Sequence, residues 1–183
     1  AIVGDVDVNE VKRLADAYFG RLPAAPKPPE VRTTEPPQVS ERRVALREQS
    51  QRIFLMGYKK GSINHPDDVV YDVISDLLSS GRTSRLYRSL VRDKKVAVQV
   101  GGFSGFPGTK YPNLFLFFAF PAQGKKNEDV QAAIEEEIEK LRKETVSEED
   151  LKAIKTRARA GLIRSLVSNS GMASQLTYFH MQT

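Results

Sequence analysis

Residues 23–37 hold six of the chain's ten prolines. No helix survives that density, because each proline removes an amide donor and clashes with the preceding turn. A central strand is excluded too, since proline adds no hydrogen bond to a ladder. The segment must be an extended connector. Only 22 residues precede it, too few to fold alone. The connector is therefore expected to carry the chain across a sheet or around a domain, not to join two independent bodies.

Hydrophobic spacing gives the elements on either side. Ile2 and Val3 read as the end of a strand, broken by Gly4 and Asp5. Asp7, three residues before Glu10, opens a helix with Val8, Val11, Leu14, Ala15, Tyr18 and Phe19 at helical spacing, and Gly20 ends it. After the connector, residues 43–46 and 52–58 read as strands. The second is apolar on both faces and is expected to be central. Asn64 to Asp68 open a helix over 67–79, with proline and acids in its first turn and Gly81 after it. A shorter helix is expected over 84–91. Residues 96–100 and 114–120 read as strands, with Gly101, Gly102, Gly105 and Gly108 in a loop between them. Helices are expected over 127–143, from the Ser147 capping box to 166, and over 172–181, running toward Thr183. The fold class is α+β: an antiparallel-rich mixed sheet of about five strands, with helices packed mainly on one face.

Charge and composition remove several functions. The 183 residues are 40% hydrophobic and 28% charged, as in a soluble globular protein, with no apolar run long enough to span a membrane. The absence of cysteine excludes disulfides and thiolate-bound metals. The net charge of +5 is spread over separated pairs such as Lys59-Lys60 and Lys94-Lys95, which read as solvated loop ends. Phe115, Phe117, Phe118 and Phe120 could stack on bases, but both faces of their strand are apolar, which points to a core and not to nucleic acid. The glycines at 101–108 match no phosphate-binding pattern. Ser104 lacks the G-x-S-x-G spacing and a histidine base. Glu135 to Glu137 fit a solvated helix face, and Glu148 to Asp150 a helix start. His65 beside Asp67 and Asp68 fits a helix cap, and His180 a packing position. No catalytic, cofactor-binding or metal-binding residue is assigned.

One ordered set of motifs carries a resemblance. Ile2 to Asp7, Phe19 to Leu22 before the prolines, Gln51 to Tyr58, His65 to Asp67, Leu77 to Gly81, Ser84 to Arg88 and Ser147 to Leu151 follow in the order and spacing of the insulinase/pitrilysin-type zinc peptidases, the inverzincins. The likeness covers nearly the whole chain. That family's metal motif is H-x-x-E-H on a helix, and this chain has only His65 and His180. It therefore resembles a C-terminal, non-zinc-binding half-domain spanning residues 1–183, cut from something longer.

The resemblance implies a function shared with other parts. Four homologous half-domains enclose a substrate chamber, and the first holds zinc and the glutamate base. The last holds substrate with an arginine and a tyrosine, at positions occupied here by Val91 and Val98. The fragment is thus more like the second half-domain than the last. It would be a chamber-forming part of a zinc-dependent endopeptidase hydrolysing peptides, inactive alone and binding no zinc itself. The expected partners are an upstream zinc-binding half-domain, a homologous subunit or second half, and a peptide substrate. A non-catalytic structural subunit of the same family is the alternative. A bacterial periplasm and a cytoplasm are both compatible with the sequence.

Overall fold

The structure, a computed structural model, describes residues 1–182; Thr183, toward which the last helix was expected to run, lies outside them. The chain divides into two compact units, residues 2–49 and the rest.

The smaller unit contains one helix, α1 (Val8–Phe19). The Asp7 carboxylate accepts the Glu10 amide at 2.8 Å and starts it. Glu10 turns to Arg13 instead of back to the cap, so only half of a capping box forms. The apolar stripe is uncovered, with Val8 62%, Tyr18 67% and Phe19 67% exposed. No residue of 2–49 is buried, and the proline segment is extended without helix or strand, as its composition requires. The strands expected at 2–3 and 43–46 do not form. Val44 and Leu46 stand out into solvent, and short β-prone runs without a packed face have nothing to hold them as strands.

The larger unit is an antiparallel sheet with helices: β1 (Phe54–Lys60), β2 (Ala97–Phe106) and β3 (Asn113–Pro121). The order is β1-β3-β2, so the sheet has three strands among the described residues, not about five, and no parallel pair. The central strand is β3, not the 52–58 segment, which forms an edge. The apolar character of both faces misled there: it marks β3 as well, and β3 is the more buried.

The register explains the core. Phe54, Met56 and Tyr58 lie opposite Ala119, Phe117 and Phe115, so these side chains share one face. That face carries the hydrophobic core, closed by Leu78 of α2 (Asp68–Ser79), Leu86 and Leu90, and Val130, Ala133 and Ile134 of α3 (Asn127–Lys143). Fully buried Leu78, Leu86, Leu90 and Ile134 each contribute roughly 1.5–3 kcal/mol of burial. Helices α4 (Glu148–Leu166) and α5 (Asn169–Gln182) pack on one another, and α4 also meets α2.

Two helix starts differ from expectation. Asn64 does not cap α2; Asp67 precedes its first turn, and the Asn64 amide reaches Gln182 instead. Asn127 lies inside α3, whose start is held by the Asp129 carboxylate accepting the Lys126 amide at 2.8 Å. Lys60, whose side chain is fully buried, pairs with Asp68 and lies 5.5 Å from the centre of the Tyr71 ring. That brace ties the end of β1 to the first turn of α2.

Candidate functional site

The sheet face opposite the helices is the first candidate. Leu55, Leu114, Leu116, Phe118 and Phe120 alternate onto it, and β2 adds Phe103 and Phe106. Four phenylalanines form a row across it. Phe106 lies 6.2 Å from Phe103, Phe103 6.3 Å from Phe118, and Phe118 6.4 Å from Phe120. Leu55 is 60%, Phe103 38% and Phe106 43% exposed. The expectation that β3 is buried on both faces holds in part: on this face Leu116 is buried, and Leu114, Phe118 and Phe120 are half-buried. One face is core, and the other is an apolar, aromatic surface open along the outer strands at Leu55, Phe103 and Phe106, of the kind that marks an interaction site.

Glycine makes that surface possible. Gly101, Gly102 and Gly105 lie within β2, not in the expected loop, which keeps only Gly108. A Cβ on Gly101 would stand 2.7 Å from the Phe118 ring, and one on Gly102 2.8 Å from the Phe117 ring. The two rings lie over the bare backbone on opposite sides of the sheet. Nothing there resembles a phosphate cradle. Ser104 lies in the same strand opposite Phe115.

The segment after α2 is a π-helix, Tyr87–Asp93, closed by the Lys94 amide donating to the Ser89 carbonyl at 2.9 Å. Such wide turns recur at functional sites. Val91 lies on it. Val98 lies at a β-bulge between Ala97 and Gln99 and is 57% exposed. A bulge re-aims a side chain, so position 98 is presented outward. Here it carries an apolar group that can neither donate a hydrogen bond nor hold a proton.

Charge gathers on the helix side, where the end of α2, the π-helix, α3 and the start of α4 meet. A cleft of about 450 Å³ there adjoins a hollow of about 220 Å³. Glu136 pairs with Lys94 and, at 3.0 Å, with Lys140. These two ammonium groups, Lys94 first, hold its carboxyl down to about 2. Glu137 is buried and accepts from Lys140 at 2.7 Å, which corrects the expectation that residues 135–137 form one solvated face. Helical spacing puts Glu137 on the same face as Ala133 and Ile134, and only its acidic character pointed to solvent.

The remaining sequence candidates stay apart. The His65 ring accepts the Asp67 amide at 3.2 Å in the turn before α2, a local structural bond. His180 lies exposed on α5. Among the described residues no three His, Cys, Asp or Glu side chains come together as a metal site. The residues present do not fit a catalytic zinc ion, which needs three ligands and an open position. Ser147 caps α4 by accepting the Asp150 amide at 3.1 Å, so Glu148 to Asp150 form a helix start. No described helix is long and apolar enough to cross a membrane.

Comparison with known proteins bears on this geometry. A family model described as the peptidase M16 inactive domain matches residues 1–158. The zinc protease PqqE of Helicobacter pylori is 30% identical over 188 residues, covering 99% of this chain and 41% of that protein. A protease structure from Helicobacter pylori superposes with a TM-score of 0.77 at 28% identity, covering 98% of this chain and 44% of that one. An inactive peptidase domain from Bordetella parapertussis shares the fold, with a TM-score of 0.60 at 22% identity over 74% of this chain and 73% of that one. The chain thus spans about two fifths of the length of the Helicobacter pylori relatives.

Proposed function

The chain belongs to the peptidase M16 inactive-domain family, the insulinase type that the ordered motifs indicate, and we propose that it forms the non-zinc-binding wall of a peptide-hydrolysing chamber. The observation that carries the proposal is the open aromatic face of the sheet. A face this apolar, backed by a well-packed core, is suited to an extended peptide or to the facing half of a chamber. The zinc ligands and the base belong to another half of the full-length protein. This chain contributes shape and apolar surface, and no residue to bond breaking.

The uncovered stripe of α1 supports the same reading. An amphipathic helix with Tyr18 and Phe19 mostly exposed gains stability when another body covers it. An upstream zinc-binding half is the proposed cover.

The test uses the full-length protein and a chelator-sensitive peptide-cleavage assay. Leu55→Asp and Phe103→Asp place charge on the open face without touching the core. Zinc content should stay at the parent level while cleavage falls about tenfold or more, as expected when apolar substrate contacts worth more than 1.4 kcal/mol are lost. Unchanged cleavage in both variants would remove the sheet face from the chamber.

A further inference from the structure

A separate surface, independent of the chamber proposal, carries a binding site. We propose that the cleft between the end of α2, the π-helix, α3 and the start of α4 binds an acidic polypeptide segment through Arg85 and Arg88.

The charges of the cleft are unevenly matched. Arg92 pairs with Asp93 at 2.6 Å, Lys140 with Glu137 at 2.7 Å, and Lys94 with Glu136. Arg157 holds Asp76 at 3.1 and 3.2 Å. Arg85 and Arg88 differ. They line both hollows, and among the described residues neither makes a salt bridge, though the charge of Arg88 adds to that of Arg92 in lowering the Asp93 carboxyl. Arg85 is also half-buried. A guanidinium partly withdrawn from water with no carboxylate in direct contact loses hydration that nothing replaces, and a carboxylate arriving from outside replaces it.

The shape selects the kind of anion. The two hollows share Arg85, Arg88 and Asp150, so they form a continuous trough and not a closed pouch. A compact polyanion such as pyrophosphate would meet Asp150 as soon as it met the arginines. A polypeptide with carboxylates separated by neutral residues can set one against each guanidinium. It can also turn a backbone amide toward Asp150. Ser89 on one side and Ser80 and Thr83 on the other give hydroxyls for its remaining polar groups. The helical stagger of Arg85 and Arg88, three residues apart, sets them on one face for such a ladder.

Fluorescence anisotropy of the 183-residue chain tests this. The probe is a fluorescein-labelled peptide alternating glutamate and glycine; the control peptide has glutamine for glutamate. The glutamate peptide should bind, weaken as ionic strength rises, and resist displacement by equimolar pyrophosphate. Arg85→Gln with Arg88→Gln should weaken it about tenfold or more, the scale of a lost charge-assisted hydrogen bond. Should the double variant melt early, exposed Arg88→Gln alone serves, with a severalfold loss expected. Equal binding of the glutamine peptide, undiminished affinity in a folded variant, or binding of pyrophosphate without the peptide would each overturn the proposal.

Discussion

Gly102 and Gly101 are adjacent, yet the structure assigns them different tolerance. A Cβ at Gly102 would press on Phe117, which is 3% exposed and held in the core. A Cβ at Gly101 would meet Phe118, which is half-buried on the open face and can swing outward. Removing glycine also lowers the entropy of the unfolded chain, a gain of about 0.4–1 kcal/mol. At Gly102 the clash should win, and Gly102→Ala should cost about 1–3 kcal/mol. At Gly101 the two effects should nearly cancel. Urea midpoints of the two variants check the ordering; equal losses would mean that the Phe118 side is as closed as the core. Residue identity alone hid this, because glycines between two strands read as a loop until the register sets phenylalanines opposite them.

Glu136 gives a second test at the same scale. Its carboxyl is lowered from 4.5 to about 2, by the hydrogen bonds from Lys94 and then Lys140. A depressed carboxyl adds stability that is present above about 4.5 and fades as pH falls toward 2. NMR titration of this carboxyl should give a midpoint well below the ordinary 4.5, and Lys94→Met should move it up. A Glu136 midpoint indifferent to Lys94→Met would contradict the pairing.

At the scale of elements, helices were more legible than strands. Val8–Phe19, Asn127–Lys143 and Glu148–Leu166 agree with expectation within a residue or two, because apolar spacing and capping chemistry coincide there. Ser147 is the clearest cap, and Ser147→Ala should cost about 1 kcal/mol of stability by thermal melting. A loss near zero would mean that α4 starts elsewhere. The strands failed for a different reason. Apolar runs mark candidates for pairing but not which partner they find. Thus 52–58 became an edge, 43–46 paired with nothing, and 96–100 lengthened through three glycines. The π-helix had no signal either, since a wide turn uses the same residues as an ordinary helix. The element that holds sheet and helices together is α2. Leu78→Ala should cost about 2–5 kcal/mol, since Leu78 is fully buried in the core. A cooperative melt within a degree or two of the parent would assign that helix face wrongly.

For the whole molecule, the sequence held no positive signal for the candidate site. Two distant histidines and no cysteine already argue against a metal centre. The open aromatic face was not legible, because a half-covered strand and a fully covered one have the same composition. The central claim is that this chain is a wall and not a catalyst, and zinc stoichiometry tests it most directly. Elemental analysis of the 183-residue chain, purified without chelators, should find well under one zinc per chain, and the same sample should cleave no peptide. One tightly held zinc per chain, with peptide cleavage abolished by a chelator, would contradict the account.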